Sequence, residues 1–522
     1  MSTEHRHITR AAGINSAATG LSRILGLLRD MTLAFFFGTS GLNSAFLFAF
    51  TIPNTLRRLF GEGAMSSVFV PLFAHELHHN GKEPARQAAD AVLTLLTVVL
   101  TGITVLVSVG CLVATRWVPS ADARLTLFLT ALMMPYCILI CLAAVCGAML
   151  NTLGHFSRPA LSPVLLNLAI IAAALLAAWL TPVEQTRVYV VAFGVLVGGA
   201  LQLWLQLPAL ARRGFMPRPF WSLTHPLVRQ LLPLLAPAIV GVGVVQLNVM
   251  VDRIMAVALN ERAVSVLFYA DRLIEFPLGI FGVALAVALL PTISFCAARD
   301  DKQGFTRAIA FSLRQVCFII VPALVGLLVL AEPIVQLLFE RGQFTHESTH
   351  FVVRALRCYA AGLVPFAFAK IIVPAFYARK DTRTPVLVGV SVLVLNVILN
   401  LVLMRTWLQE AGLALSTTIC AFINVGVLLI LLRRACGPMG MRAVAVSLAR
   451  ITLLAAVMAV SVWWTSDALS AMRAAPQLVL RGVHCALAIG AGVTVYVLLA
   501  YFTRQPELIE LLAAYFRKRG TE

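Results

Sequence analysis

Charge is scarce in this chain. Only 12% of its 522 residues are Asp, Glu, Lys or Arg, where an ordinary soluble domain carries about a quarter. Acids are scarcer still, 23 against 41 Lys and Arg. Paired cysteines are missing as well. The ten cysteines stand singly inside apolar runs, Cys111, Cys137, Cys141 and Cys146 among them, with no C-x-x-C ligand spacing, so they read as small core residues. The opening stretch MSTEHRHITRAAGINSAATG lacks the compact apolar region and small-residue cleavage site of a signal peptide, and the first helix is expected to stay. No G-x-x-x-x-G-K-[ST] phosphate loop occurs. Hydrophobic residues make up the balance, at 60% of the chain and a mean hydropathy of +0.91. They gather in blocks of the ~20 residues that cross a hydrocarbon core of about 30 Å. Soluble enzyme, secreted disulfide scaffold and disordered tail are excluded. The chain reads as an all-α integral membrane protein.

Apolar blocks between polar breaks predict about fourteen transmembrane helices, over 8–37, 41–74, 87–114, 124–151, 159–181, 188–211, 228–259, 263–297, 305–339, 349–378, 385–407, 410–433, 443–465 and 480–503. The net charge of +18 would suggest nucleic acid in a soluble protein; here it predicts a positive-inside bias and no nucleic acid. With the N-terminus placed in the cytoplasm, about 22 loop Lys and Arg fall on that side and about eight on the other, alternating loop by loop. Both termini are therefore expected inside. The closing PELIELLAAYFRKRG places Leu508, Leu511, Leu512 and Tyr515 on one face and is expected to lie on the membrane surface.

A loose internal repeat runs through the blocks. The sixth ends LPALARRG and the twelfth LLILLRRACG; the fourth-to-fifth connection reads MPY…FSRP…LLN, and the tenth-to-eleventh VPF…TRTP…VLN. Two six-helix lobes in parallel pseudo-repeat (1–222 and 223–437), followed by two extra helices and an amphipathic cytoplasmic tail (438–522), form an organisation known among transporters.

Eleven cations remain inside the blocks: Arg23, Arg29, Arg57, Arg58, Arg253, Arg272, Arg314, Arg354, Arg357, Lys370 and Arg450. Each costs about 2.5–3.5 kcal/mol at a helix centre. Some, such as Arg314 and Arg450, would snorkel to an interface; the rest need a watery cavity, an acidic partner or an anionic ligand. Three clusters stand out. The first block holds SRILGLLRD, with Arg23 and Asp30 seven apart and so nearly on one helix face. The second holds PNTLRRLFGEG, where Pro53 and two glycines break the helix and Arg58 and Glu62 are spaced as an i,i+4 pair. A broken helix is tolerated only where it lines a cavity or is buried in protein. The eighth holds YADRLIEFP, with Asp271, Arg272 and Glu275. One reading makes these charges a mutual lock between helices. The other starts from the first two clusters, where four cations face two acids; surplus guanidinium in a cavity fits phosphate, which its planar fork binds bidentately.

The strings LSRILGLLRD, PNTLRRLFGEGAMSSVFVP and YADRLIEFPLGIFGVALAVALLP closely resemble the MurJ/MviN family, lipid II flippases of peptidoglycan synthesis within the multidrug/oligosaccharidyl-lipid/polysaccharide exporter superfamily. The resemblance runs from about residue 8 to 505. It implies two six-helix lobes around a cationic cavity, alternating access across the bacterial inner membrane, and a groove for the polyprenyl tail on the last two helices. It places substrate-binding residues at Arg23, Arg29, Asp30, Arg57, Arg58, Glu62, Asp271, Arg272 and Glu275. Arg29, Arg57, Arg58 and Arg272 would hold the pyrophosphate of lipid II while the acids orient them. The implied protein is a monomeric transporter rather than an enzyme. Its partners would be lipid II, membrane lipids and the cell-wall synthesis machinery, and it would need no cofactor beyond Na+ or H+ coupling or the membrane potential. Some members have a sodium site in the C-terminal half. Its positions fall here on Asp252, Asn396, Asn400, Gly412 and Ser416, with Asn400 where those members carry Asp, so a weak site is expected, and a plain Asp252–Arg253 pair is the competing reading. A second departure is Ser44, where some members carry an acid. Two alternatives stay open: an exporter of another polyprenyl-linked saccharide or of drugs, and a membrane enzyme acting on polyprenyl phosphates or as a zinc protease. For the last, His75-Glu76-Leu77-His78-His79 matches H-E-x-x-H, but no companion third ligand is evident, and the match falls at the edge of a basic loop. A solvated helix end is expected there.

Overall fold

A computed structural model describes residues 3–279, 283–474, 477–510 and 513; within these, the side chains of 3–16, 62–64, 66, 236–238, 240, 283–288 and 473–474 are not described. Among the described residues there is no strand. The chain forms two compact units, 1–265 with 342–344, and 266–341 with 345–522.

The first unit is built from α1 (Thr3–Phe37), α2 (Gly41–Leu56), a π-helical segment (Arg57–Gly63), α3 (Ala64–His79), α4 (Lys82–Ala114), α5 (Ala121–Met133), α6 (Pro135–Thr152), α7 (Ser157–Leu180), α8 (Glu184–Arg212) and α9 (Pro226–Leu259). It ends in the first residues of α10 (Ala263–Pro277). The second unit continues through α11 (Val283–Ala298), α12 (Lys302–Val329), α13 (Ala331–Leu338), α14 (His346–Ala360), α15 (Leu363–Ala378), α16 (Arg383–Leu403), α17 (Glu410–Cys436), α18 (Met441–Ala468), α19 (Ser470–Ala474) and α20 (Leu478–Phe502). Each of the fourteen expected blocks falls on one of these helices or on a pair flanking a break. Among the described residues, ten spans are by length and composition long and apolar enough to cross a membrane, or eleven when the bent pair α14–α15 is taken as one. The protein is a multi-pass integral membrane protein.

Boundaries and breaks have local causes. Ser40 and Ser120 accept from the backbone N–H groups of Asn43 and Ala123 and cap α2 and α5. Asp381 receives Thr384 N at 3.0 Å and Thr384 Oγ1 at 2.7 Å ahead of α16, and those two bonds hold its carboxyl below the usual carboxylate range. The 45° bend between α14 and α15 diverts Gly362 N to Tyr359 O; the Cys358 carbonyl accepts Thr418 Oγ1 from α17 at 2.8 Å. Both arginine pairs seen as a repeat close a helix ahead of a glycine at positive φ, Gly214 at +78° and Gly437 at +90°.

Candidate functional site

Asp30 is fully buried on α1, and its neighbour Arg29 covers it. Arg29 Nε and Nη2 donate to Asp30 Oδ1 at 2.9 and 2.6 Å, and Nη1 donates to Asn167 Oδ1 on α7 at 3.2 Å. Asn167 uses its own amide N–H on the Ser22 carbonyl, also at 3.2 Å. α1 and α7 pack along each other, so one side-chain amide ties the guanidinium to the helix turn below it. Burying a charge is costly unless it is paired and hydrogen-bonded; here the carboxylate and the amide share that task. Sequence reasoning missed Asn167. Its signal was present in the repeat, where Asn167 and Asn396 close the matching strings LLN and VLN. Arg23 lies lower on the same helix and is exposed.

The second cluster sits on the π-helical segment. Gly61 is buried there, and a Cβ on it would stand 3.0 Å from Ala144 Cβ and 3.6 Å from Cys141 Cα of α6. The glycine therefore lets the distorted turn press against its neighbour. Arg57 Nε donates to Asn54 Oδ1 at 2.8 Å. Arg58 is exposed, and among the described residues it makes no hydrogen bond or ion pair. The expected Arg58–Glu62 pair rested on α-helical spacing, whereas a π turn closes on i+5. The Glu62 side chain lies outside the described residues.

Asp271, Arg272 and Glu275 belong to the second unit, on α10. Arg272 Nη1 meets Glu275 Oε2 at 3.4 Å. Asp271 is half-buried, and π-helical backbone follows Pro277 at 278–279.

The positions matched to a sodium site divide between the units. Asp252 and Arg253 are half-buried on α9, and Arg253 Nη1 donates to the Val264 carbonyl at 3.0 Å. In the second unit Asn396, Asn400 and Ser416 are fully buried. Asn400 Nδ2 donates to Asn396 Oδ1 at 3.0 Å, Asn396 Nδ2 to Ser416 Oγ at 3.2 Å, and Ser416 Oγ to the Asn396 carbonyl at 3.3 Å. Asn396 and Ser416 bond one another in both directions, and a Cβ on Gly412 would overlap the Leu403 carbonyl. Asn396, Asn400 and Ser416 are thus joined in one buried hydrogen-bond network. Ser44, the other departure, is buried against Ser265 with hydroxyls 2.9 Å apart, and it accepts Ser265 N at 3.3 Å.

The H-E-x-x-H match lies at the end of α3. The His75 and His79 rings stand 4.3 Å apart on one exposed face, and Glu76 Oε1 accepts Asn80 Nδ2 at 3.0 Å. Among the described residues no group of three His, Cys, Asp or Glu could hold a metal ion.

The tail carries a second residue that sequence reasoning missed. Glu507 is 1% exposed. Its Oε1 accepts Ser447 Oγ of α18 at 2.7 Å and lies 3.7 Å from Arg314 Nη1 of α12. Gln315 Nε2 donates to Glu510 Oε2 at 2.8 Å. Arg314, expected near an interface, pairs with the tail. The tail's first turn, expected at the membrane surface, docks on the bundle, while the apolar face expected of Leu511, Leu512 and Tyr515 lies outside the described residues.

A bundle of apolar helices that carries arginine-rich polar clusters and breaks two of its passes with π turns has the build of a transporter. Its fold matches an inward-facing multidrug resistance MATE family transporter of the MOP superfamily, with a TM-score of 0.64 at 15% identity, covering 82% of this chain and 98% of that one. A solved lipid II flippase MurJ in an inward closed conformation matches with a TM-score of 0.77 at 25% identity over 94% of this chain and 98% of that one. In sequence, the family described as Lipid II flippase MurJ matches residues 33–483. A probable lipid II flippase MurJ of Vibrio cholerae is 36% identical over 489 residues, 90% of this chain and 91% of its own. The lipid II flippase MurJ of Burkholderia cenocepacia is also 36% identical, over 82% of this chain and 84% of its own. The chain belongs to the MurJ family.

Proposed function

We propose that this protein translocates lipid II, the undecaprenyl-pyrophosphate-linked peptidoglycan precursor, from the cytoplasmic to the outer leaflet of the bacterial inner membrane. Membership of a family whose relatives are named lipid II flippases supports the substrate. The observation that carries the chemistry is the contrast between Arg29, fixed by Asp30 and Asn167, and Arg58, exposed on a broken helix with no partner among the described residues. A fixed guanidinium presents its fork without reorganisation, and an unpaired one supplies the net positive charge a pyrophosphate needs. In this proposal Arg29, Arg57, Arg58 and Arg272 hold the pyrophosphate, with Arg23 on the approach. Asp30, Glu62, Asp271 and Glu275 orient the arginines and offer exchange partners, so the ligand leaves again. This is binding chemistry with no covalent step.

The cycle is proposed to run by alternating access of two six-helix lobes, with the two last long helices, α18 and α20, beside the polyprenyl tail and both termini in the cytoplasm. Energy is proposed to come from the membrane potential or an ion gradient. Asp252 is the carboxylate that Na+ or H+ would meet, and no step is routed through a bound cation. The experiment is reconstitution: labelled lipid II in proteoliposomes should become accessible on the far leaflet only when the protein is present. A protein that moves a different polyprenyl-pyrophosphate saccharide and leaves lipid II in place would overturn the substrate assignment.

A further inference from the structure

The connector between α8 and α9 is rich in arginine and free of acids. Residues 212–229 hold Arg212, Arg213, Arg218 and Arg229 and no Asp or Glu. The segment is pinned along its length. Gly214 closes α8 in the left-handed region, and Phe215 then turns inward, 2% exposed, with its ring edge-on to Phe73 of α3 at 5.7 Å. Pro217 and Pro219 have no N–H to donate. The donors beside them go to α4: Arg218 N to buried Asp90 Oδ1 at 3.0 Å, and Phe220 N to Thr94 Oγ1 at 2.9 Å.

With the backbone spent on α4, the side chains are left outside. Met216, Phe220, Trp221 and Leu223 are 43%, 39%, 57% and 49% exposed, and Arg212, Arg218 and Arg229 are exposed beside them. The nearby acids of α4, Glu83 and Asp90, are already paired with Arg86. Outside the helices, Arg213 and Arg158 help burial to push His155 below the usual histidine range, a mark of positive field at this end. Four exposed apolar side chains on one pinned segment call for a covering surface. A segment joining the ends of two helices of a membrane bundle lies at headgroup level, where aromatic rings meet the acyl boundary and arginines meet phosphates.

We propose that residues 212–229 form a strap that binds the anionic phospholipids of the bilayer, Phe220 and Trp221 entering the acyl boundary and Arg212, Arg213 and Arg218 taking headgroup phosphates. Because the strap hangs on Asp90 and Thr94, headgroup binding is transmitted to α4. The strap acts whether or not the transport reading holds.

The test uses the full chain in nanodiscs containing brominated phosphatidylglycerol or brominated phosphatidylcholine at equal mole fraction. The Trp221 signal is taken as the difference between wild type and Trp221→Phe. Each arginine near an anionic surface shifts local lipid occupancy about fivefold, so Trp221 should be quenched at least about twofold more by the phosphatidylglycerol. The excess should vanish in the Arg212→Gln, Arg213→Gln, Arg218→Gln triple variant and persist in the corresponding Lys triple. It should also fall in wild type near 1 M salt, where the screening length is about 3 Å; that series decides the matter if the Gln triple fails to fold. Equal quenching by both lipids would overturn anionic recognition. Quenching by neither would overturn membrane contact and leave the face to a protein partner.

Discussion

Asn167 holds Arg29 across 138 residues of sequence, its side-chain oxygen 3.2 Å from Nη1. A hydrogen bond to a charged group contributes about 1.5–3 kcal/mol, and here it fixes the direction of the guanidinium fork. Asn167→Ala should therefore lower lipid II translocation about tenfold while the protein still inserts, a smaller loss than Arg29→Ala. Asn167→Gln, which keeps the amide, should recover part of it. Equal activity of Asn167→Ala and wild type in proteoliposomes would show that Asp30 alone orients Arg29.

Gly38 sits at φ +56°, and a Cβ there would overlap the Gln343 carbonyl; Gln343 N donates to Phe35 O at 2.9 Å in the same corner. Gly38→Ala should lose about 1–3 kcal/mol from backbone strain alone, with the clash in addition. In detergent its Tm should fall by several degrees below wild type, whereas Gly440→Ala, at φ +61° in the left-handed region with open space around its Cβ, should fall less. Equal shifts for the two would mean that the close approach to Gln343 carries no energy.

Glu507 gives the C-terminal segment a buried carboxylate to pair with Arg314. Breaking a buried pair by removing one partner typically costs about 3–5 kcal/mol, and Arg314, partly exposed, should lose somewhat less. Glu507→Ala is expected to release the tail, read as faster proteolysis after residue 503 and a lower Tm; Glu510→Ala, on a more exposed partner, should do little. A tail that stays protected in Glu507→Ala would place its anchor elsewhere.

The two histidines of the H-E-x-x-H match stack on an exposed face, with Glu76 engaged by Asn80. Replacing His75 and His79 together with Ala should leave translocation and metal content unchanged. Stoichiometric zinc in the purified wild type, lost in the double variant, would contradict that reading.

Much of this was legible in the sequence because its cause is local. The helices follow from apolar runs of membrane length, the cap at α2 from Ser40, and the break in the second block from Gly61 and Gly63, which the residues already mark. Arg29, Asp30, Arg57 and Arg58 announce themselves as charges where charge is expensive. What stayed hidden depends on partners far away in the chain. Asn167 looked like one polar residue in an apolar helix until α7 met α1. Glu507 looked like the solvated face of an amphipathic tail until Ser447 and Arg314 closed on it. A hydrogen bond between residues 138 or 60 positions apart has no periodicity to betray it.

Surplus guanidinium on the first unit is proposed to recognise the lipid pyrophosphate, and Arg58 isolates that contribution, because no hydrogen bond or ion pair of its own is lost among the described residues when it is removed. The measurement is lipid II export in cells depleted of their own flippase, at matched membrane levels of wild type, Arg58→Lys and Arg58→Ala. Export should be full for wild type, partial for Arg58→Lys, which keeps the charge without the fork, and at least tenfold lower for Arg58→Ala. Normal export by Arg58→Ala would contradict that recognition.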